Sequence, residues 1–181
     1  MEKIRPEAVE ELTVAFRTEM VGHAFYKHAS ELVSNEKGKN IFKHLAKEEL
    51  EHMAVVLAVA ESLKKGRGWM SYRDALSAGG DLREKKGLPI FPEENELIER
   101  LRENPTDQNA VSISIESEEK AVHFYGDMLK AAATADEKVV LTDLLEMEKG
   151  HLKILRWEYE SLRKTGFWGE FMEYSVEKES D

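Results

Sequence analysis

Four segments of the chain carry apolar residues three and four positions apart, the spacing of one helix face. In residues 6–33 the face holds Leu12, Phe16, Glu19, His23, Tyr26 and Val33. In residues 39–65 it holds Phe42, Leu45, Glu49, His52, Val56, Val59 and Leu63. Residues 107–133 give Val111, Ile115, Glu118, Val122, Tyr125, Leu129 and Ala132, and residues 136–164 give Leu141, Leu144, Glu148, His151, Leu155 and Leu162. The pattern predicts an all-α protein of four long helices, each with one inward stripe. Pro6 suits a first helical turn. "SNEKGK" marks the turn before the second helix, and "TAD" offers a short loop and an N-cap before the fourth.

Residues 70–110 lack such a stripe. They contain "SAGGD" and "KKGLPIFPEEN", both rich in turn residues, and "PEENELIERLREN", which reads as a short helix stopped by Asn104-Pro105. A structureless loop of this length is rare inside a compact domain. A crossover running the length of an antiparallel four-helix bundle, with a small helix inside it, removes the difficulty. The expected organisation is one domain over residues 1–181: a hairpin at 6–69, the crossover at 70–110, a second hairpin at 107–169 and a tail at 170–181. Phe167, Trp168 and Phe171 are expected to dock the start of the tail. Trp69 and Trp168 are expected to pack over the hairpin ends.

The chain also repeats itself. Adding 99 to a residue number in the first hairpin lands on the second: Glu19 on Glu118, Phe25-Tyr26 on Phe124-Tyr125, Leu45 on Leu144, Glu49 on Glu148, His52 on His151 and Trp69 on Trp168. Between 19 and 69 the offset never changes, and twelve of these 51 positions are identical, well above chance. The repeat predicts two similar helical hairpins about a pseudo-two-fold axis.

The repeated polar residues raise a physical problem. Each Glu-x-x-His places an acid and an imidazole on one helix face, in a stripe that is otherwise apolar. In a bundle, Glu49, His52, Glu148 and His151 would meet Glu19 and Glu118 in one buried layer. Four desolvated carboxylates repel one another, and no Lys or Arg lies on these stripes. Two divalent cations balance four carboxylates while both histidines stay neutral. A single Glu-x-x-His is a weak signal; two at equivalent repeat positions, each with a matching acid, form the ligand pattern of a dinuclear carboxylate bundle. Such donors suit two Fe ions, and they are compatible with Mn and Zn as well.

Other acids and histidines fall off the stripes. Glu48, Glu51, Glu116, Glu119 and Glu146 are expected at the solvated surface, as are His28, His44 and His123. His23 lies one turn past Glu19 on the inward side, where a structural hydrogen bond or a role beside the ligands is expected. Tyr26 and Tyr125 sit seven residues after Glu19 and Glu118, about 10 Å along a helix. That is too far to ligate beside the same Glu. Each is expected to pack in the core, to reach across to a ligand, or to serve as a redox-active phenol beside the metals.

Composition narrows the class. The chain has 181 residues, 34% charged and 41% hydrophobic, with a formal net charge of −10. The acidic balance argues against nucleic acid or an anionic membrane as partner. No apolar run is long enough for a membrane span, and "MEKIRPEAVEEL" lacks the apolar centre of a secretory signal, so a cytoplasmic protein is expected. There is no cysteine. That excludes disulfides, thiolate nucleophiles and iron–sulfur clusters built from these residues.

"EMVGHAFY", "EELEH", "ESEEKAVHFY" and "EMEKGH" resemble the rubrerythrin branch of the ferritin-like superfamily. The resemblance covers the four predicted helices. It implies a ferritin-like antiparallel bundle with a non-haem di-iron centre ligated by Glu19, Glu49, His52, Glu118, Glu148 and His151. Glu49 and Glu148 would bridge the metals; Glu19 and Glu118 would be terminal. Two departures stand out. Rubrerythrins carry a Cys-rich rubredoxin domain that delivers electrons, whereas these residues have no Cys and imply an external donor. They also carry a further Glu three residues beyond the third-helix ligand, where this chain has Ala121, with Gly22 as repeat partner.

The leading expectation is a di-iron oxidoreductase that reduces hydrogen peroxide or O2 with electrons from an unidentified donor. The alternative is a ferroxidase serving iron storage or delivery. A helical module whose metals only hold the bundle together, and an oxygenase with an apolar substrate channel, share the same ligands. A homodimer is compatible with the resemblance, although no residue pattern specifies one.

Overall fold

The computed structural model describes residues 5–80, 82 and 95–169. Among them are six α-helices and no strand: α1 (Ala8–Leu32), α2 (Glu36–Lys64), α3 (Tyr72–Gly79), α4 (Glu96–Glu103), α5 (Asp107–Ala131) and α6 (Ala135–Thr165). α1 packs on α2 and α5 on α6, while α3 lies on α2 and α4 touches α1 and α5.

Local chemistry sets the ends of these helices. Asn35 caps α2, its side chain accepting from the Lys37 N–H, so "SNEKGK" is a helix start and Gly38 lies in the first turn. That glycine has a steric reason. A Cβ there would fall on the indole of Trp168, which packs edge-on to Phe42 at 5.9 Å and donates from Nε1 to Asp107 Oδ2 at 2.7 Å. Thr134 caps α6 by accepting from the Glu137 N–H, as "TAD" predicts, and Gly166 ends it in the left-handed region at φ 76°. Asn95 caps α4, within the stretch expected to be helical.

Two expectations about the connecting segments change. The crossover contains a second helix, α3, started by Ser71 accepting from the Asp74 N–H. Its "SAG" end is helical because Gly79 approaches the α2 backbone: a Cβ there would lie 2.7 Å from the Ala54 carbonyl oxygen. Phe167 does not dock. It is 72% exposed, and Trp168 alone is inserted. Phe171 and the rest of the tail lie outside the described residues.

Among the described residues the two largest apolar clusters of the core lie on either side of a polar layer, and a small third one gathers Met53, Ala54 and Leu82. One of the two holds Leu12, Val56, Val59, Tyr125, Leu141 and Leu144. The other holds Tyr26, Phe42, Leu45, Val111, Ile113 and Leu155. α1 and α6 run from the first cluster to the second; α2 and α5 run the other way. All four helices cross the same layer midway, at Glu19, Glu49 and His52, Glu118, and Glu148 and His151. These six residues are all buried.

Candidate metal centre

A mid-helix carboxylate or imidazole facing inward has no backbone partner, because the helix satisfies its own N–H and C=O groups. It must therefore be matched by side chains from other helices. The four long helices bring the six residues close enough for that. Ligand atoms of Glu19, Glu49, His52 and Glu148 lie within 4.8 Å of one another, as do those of Glu49, Glu118, Glu148 and His151. Glu49 and Glu148 belong to both groups.

The oxygens of the shared pair are divided between the two groups. His52 Nδ1 lies 2.9 Å from Glu148 Oε1 and 3.5 Å from Glu49 Oε2. His151 Nδ1 lies 3.5 Å from Glu148 Oε2 and 3.4 Å from Glu49 Oε1. Each of these carboxylates thus turns one oxygen to each histidine. Glu19 Oε2 is 3.8 Å from His52 Nδ1, and Glu118 Oε1 is 3.6 Å from His151 Nδ1. The two rings stack with centroids 5.3 Å apart.

Most of these polar atoms lack a hydrogen bond of acceptable geometry. Glu49 Oε2, both oxygens of Glu148, Glu118 Oε2 and Nδ1 of both histidines are buried without one. Buried polar atoms are rarely left so. Here the unpartnered atoms converge, and each group offers three carboxylates and one imidazole. An O/N donor set of this size fits a divalent first-row ion such as Fe or Mn.

Without a metal, the charges settle by proton placement. Burial raises the Glu19 and Glu118 carboxyls well above the usual range, and the neighbouring Glu148 raises both further. Burial also pushes Glu49 and Glu148 up, but contacts with the two histidines outweigh it, bringing Glu49 down to about 2 and Glu148 well below the normal range. Burial disfavours charge on His52 and His151, yet the surrounding carboxylates win and raise both. Protons are thus drawn toward His52, His151, Glu19 and Glu118 and away from Glu49 and Glu148. A metal pair, which needs deprotonated ligands, would displace protons from this layer.

Tyr26 and Tyr125 are fully buried and reach across the bundle. Tyr26 Oη donates to Glu118 Oε1, and Tyr125 Oη donates to Glu19 Oε1. Burial raises both phenols well above 10.0, with the glutamates adding to it, so both keep their protons. His23 is half-buried and donates from Nδ1 to the Ala46 carbonyl oxygen at 2.6 Å. It joins neither ligand group.

Glu48 is the functional residue that sequence reasoning missed. It was expected at the surface with Glu51, Glu116, Glu119 and Glu146. Instead it is buried and accepts from His151 Nε2 at 2.9 Å. It lies one residue before Glu49, off the stripe of α2 but turned toward α6; a partner on another helix leaves no mark on helical periodicity. His44 and His28 are half-buried as well, His44 beside Glu48 at 3.3 Å, whereas His123 is exposed as expected.

The rubrerythrin family model matches residues 10–159, spanning all four long helices. The chain belongs to the rubrerythrin family. Searches of curated proteins and of solved structures gave no significant match. A rubrerythrin-family domain with this buried Glu/His cluster is compatible with di-iron binding. No described helix is long and apolar enough to cross a membrane.

Proposed function

We propose that this rubrerythrin-family chain is a non-haem di-iron oxidoreductase that reduces hydrogen peroxide or O2. The observation that carries this is the division of Glu49 and Glu148, one oxygen to each histidine. Glu19 and His52 would hold one metal and Glu118 and His151 the other, with Glu49 and Glu148 spanning both. In this reading the four long helices form an antiparallel four-helix bundle, its hairpins related by a pseudo-two-fold axis. The reciprocal contacts of repeat-equivalent residues support that symmetry.

A ferrous pair supplies two electrons, one from each ion, which with two protons reduce one peroxide to two waters. The chain's own residues prepare the site for this. Glu49 and Glu148 fix the separation of the two positions. Tyr26 and Tyr125 hold Glu118 and Glu19 in place and keep a phenolic proton at each carboxylate. The apolar clusters on either side exclude water, which strengthens every charge interaction within the layer. A Cβ at Gly22 would lie 3.6 Å from Glu49 Cδ, so this position faces the shared carboxylate with no side chain of its own. Gly22 and Ala121 supply no further carboxylate at these two positions. In this reading an external donor restores the ferrous state.

The test is anaerobic ferrous loading followed by optical titration with peroxide. Two irons per chain, fully oxidised by one equivalent and reduced again by a chemical donor over repeated cycles, is the expected result. Oxidation that cannot be cycled under any reductant would instead assign the metals a structural role.

A further inference from the structure

The two halves of the layer differ in one inner contact, His52–Glu148 at 2.9 Å against His151–Glu49 at 3.4 Å, and more sharply on the outside. The Glu-to-His distance within each motif is 3.5 Å in both, and the Glu19–His52 and Glu118–His151 distances are 3.8 and 3.6 Å. Behind the histidines the match ends. His151 Nε2 donates to Glu48 Oε2 at 2.9 Å. His52 Nε2 is buried with no hydrogen-bond partner. The repeat explains why: position 48 corresponds to 147, where the chain has Met. Met147 is buried, and its thioether offers only a weak acceptor. Glu48 is itself held from outside, because the same oxygen lies 3.3 Å from Nε2 of the partly exposed His44.

We infer that Glu48 is a positioning residue that makes the two metal positions unequal, the one served by His151 and Glu118 being the tighter. The inference rests on the metal centre proposed above. A carboxylate behind a ligating imidazole fixes the ring, holds the proton on the far nitrogen and leaves the near nitrogen free to bind metal. It also makes that nitrogen more basic. Glu48 does all of this for Nδ1 of His151, the atom that faces Glu49, Glu118 and Glu148. Nδ1 of His52 faces its carboxylates, with Glu148 Oε1 at 2.9 Å, but no hydrogen-bonded carboxylate stands behind its ring. The Glu48–His44 pair links the His151 side to the protein surface, and among the described residues His52 Nε2 has no equivalent link.

The test is anaerobic Co(II) titration of the full chain by calorimetry and visible absorption, with Mössbauer spectra of the 57Fe(II)-loaded protein. Wild type is expected to bind two ions in unequal steps and to show two distinct quadrupole doublets. Glu48→Met, which copies the Met147 side, is expected to weaken one step by about 10- to 100-fold and to merge the doublets. Glu48→Gln, close in shape and still able to accept a hydrogen bond, is expected to weaken the same step less. Met147→Glu is expected to tighten the other step, which keeps the test open should Glu48→Met fail to fold. Equal loss at both steps, or none, with the two doublets kept in every folded variant, would overturn the inference while leaving the metal centre standing. Failure of wild type to bind two ions would overturn both.

Discussion

Tyr26 on α1 donates its hydroxyl to Glu118 on α5, although 92 residues separate them. The same bond recurs 99 residues on, from Tyr125 to Glu19. The two tyrosines thus cross-brace the bundle, each locking the acid that its repeat counterpart would have beside it on the same helix. Both bonds are buried, so removing a hydroxyl leaves a carboxylate oxygen with no replacement from water.

Tyr26→Phe and Tyr125→Phe are therefore each expected to destabilise the metal-free protein by about 1–3 kcal/mol, measured by urea denaturation. The equivalence of the two bonds sets a stricter condition. The two losses should agree within about 0.5 kcal/mol, and the double variant should be close to additive, because the bonds lie at different acids. A loss confined to one tyrosine would show that the braces are not equivalent.

Stability should depend on pH in opposite senses with and without metal. In the metal-free protein His52 and His151 are raised above their ordinary 6.5. Each therefore binds more protons folded than unfolded, and its contribution is complete below pH 6.5 and lost as pH rises through the folded value. Glu19 and Glu118 act in the same sense from 4.5 upward. Glu49 and Glu148 act oppositely, but their contribution is already complete above pH 4.5 and lost only in acid. The melting temperature of the metal-free protein is thus expected to fall as pH rises above about 6.5. With metal bound, ligands must be deprotonated, and stability is expected to fall as pH drops instead. Loading divalent ions should release protons, readable with an indicator dye in weak buffer.

Gly38 and Trp168 give a test of packing away from the layer. An Ala at 38 gains about 1 kcal/mol of helix propensity. Its methyl, however, would overlap an indole pinned between Phe42 and the bond to Asp107. The overlap should prevail, with a net loss of about 1–3 kcal/mol by thermal denaturation. Adding Trp168→Phe, which removes the clashing ring and its N–H, should leave little further cost for Gly38→Ala.

Much of this was legible before any coordinates. Helical spacing located all four long helices, and the constant offset of 99 paired their polar residues, because both signals are local or repeated along the chain. Glu19, Glu49, His52, Glu118, Glu148 and His151 stood out as polar interruptions of apolar stripes, and all six meet in one layer. What stayed hidden depends on contacts between helices. Glu48 looked solvated because its partner, His151, comes from α6. The direction in which Tyr26 and Tyr125 reach is set by packing rather than periodicity. α3 was obscured by "SAGGD", where Gly80 ends the helix at φ 62° but Gly79 is helical and serves a close approach to Ala54. The upward shift of His52 and His151 was missed because it comes from buried glutamates on other helices.

The central claim is that Glu49 and Glu148 are shared between two cations inside this fold. Metal analysis of folded Glu49→Ala, Glu148→Ala and His52→Ala proteins, loaded anaerobically with ferrous iron beside wild type, tests it most directly. The expected result is two irons per chain in wild type, loss at both positions when either shared glutamate is removed, and loss at one position alone for His52→Ala. Two irons retained in Glu49→Ala and Glu148→Ala would contradict the account.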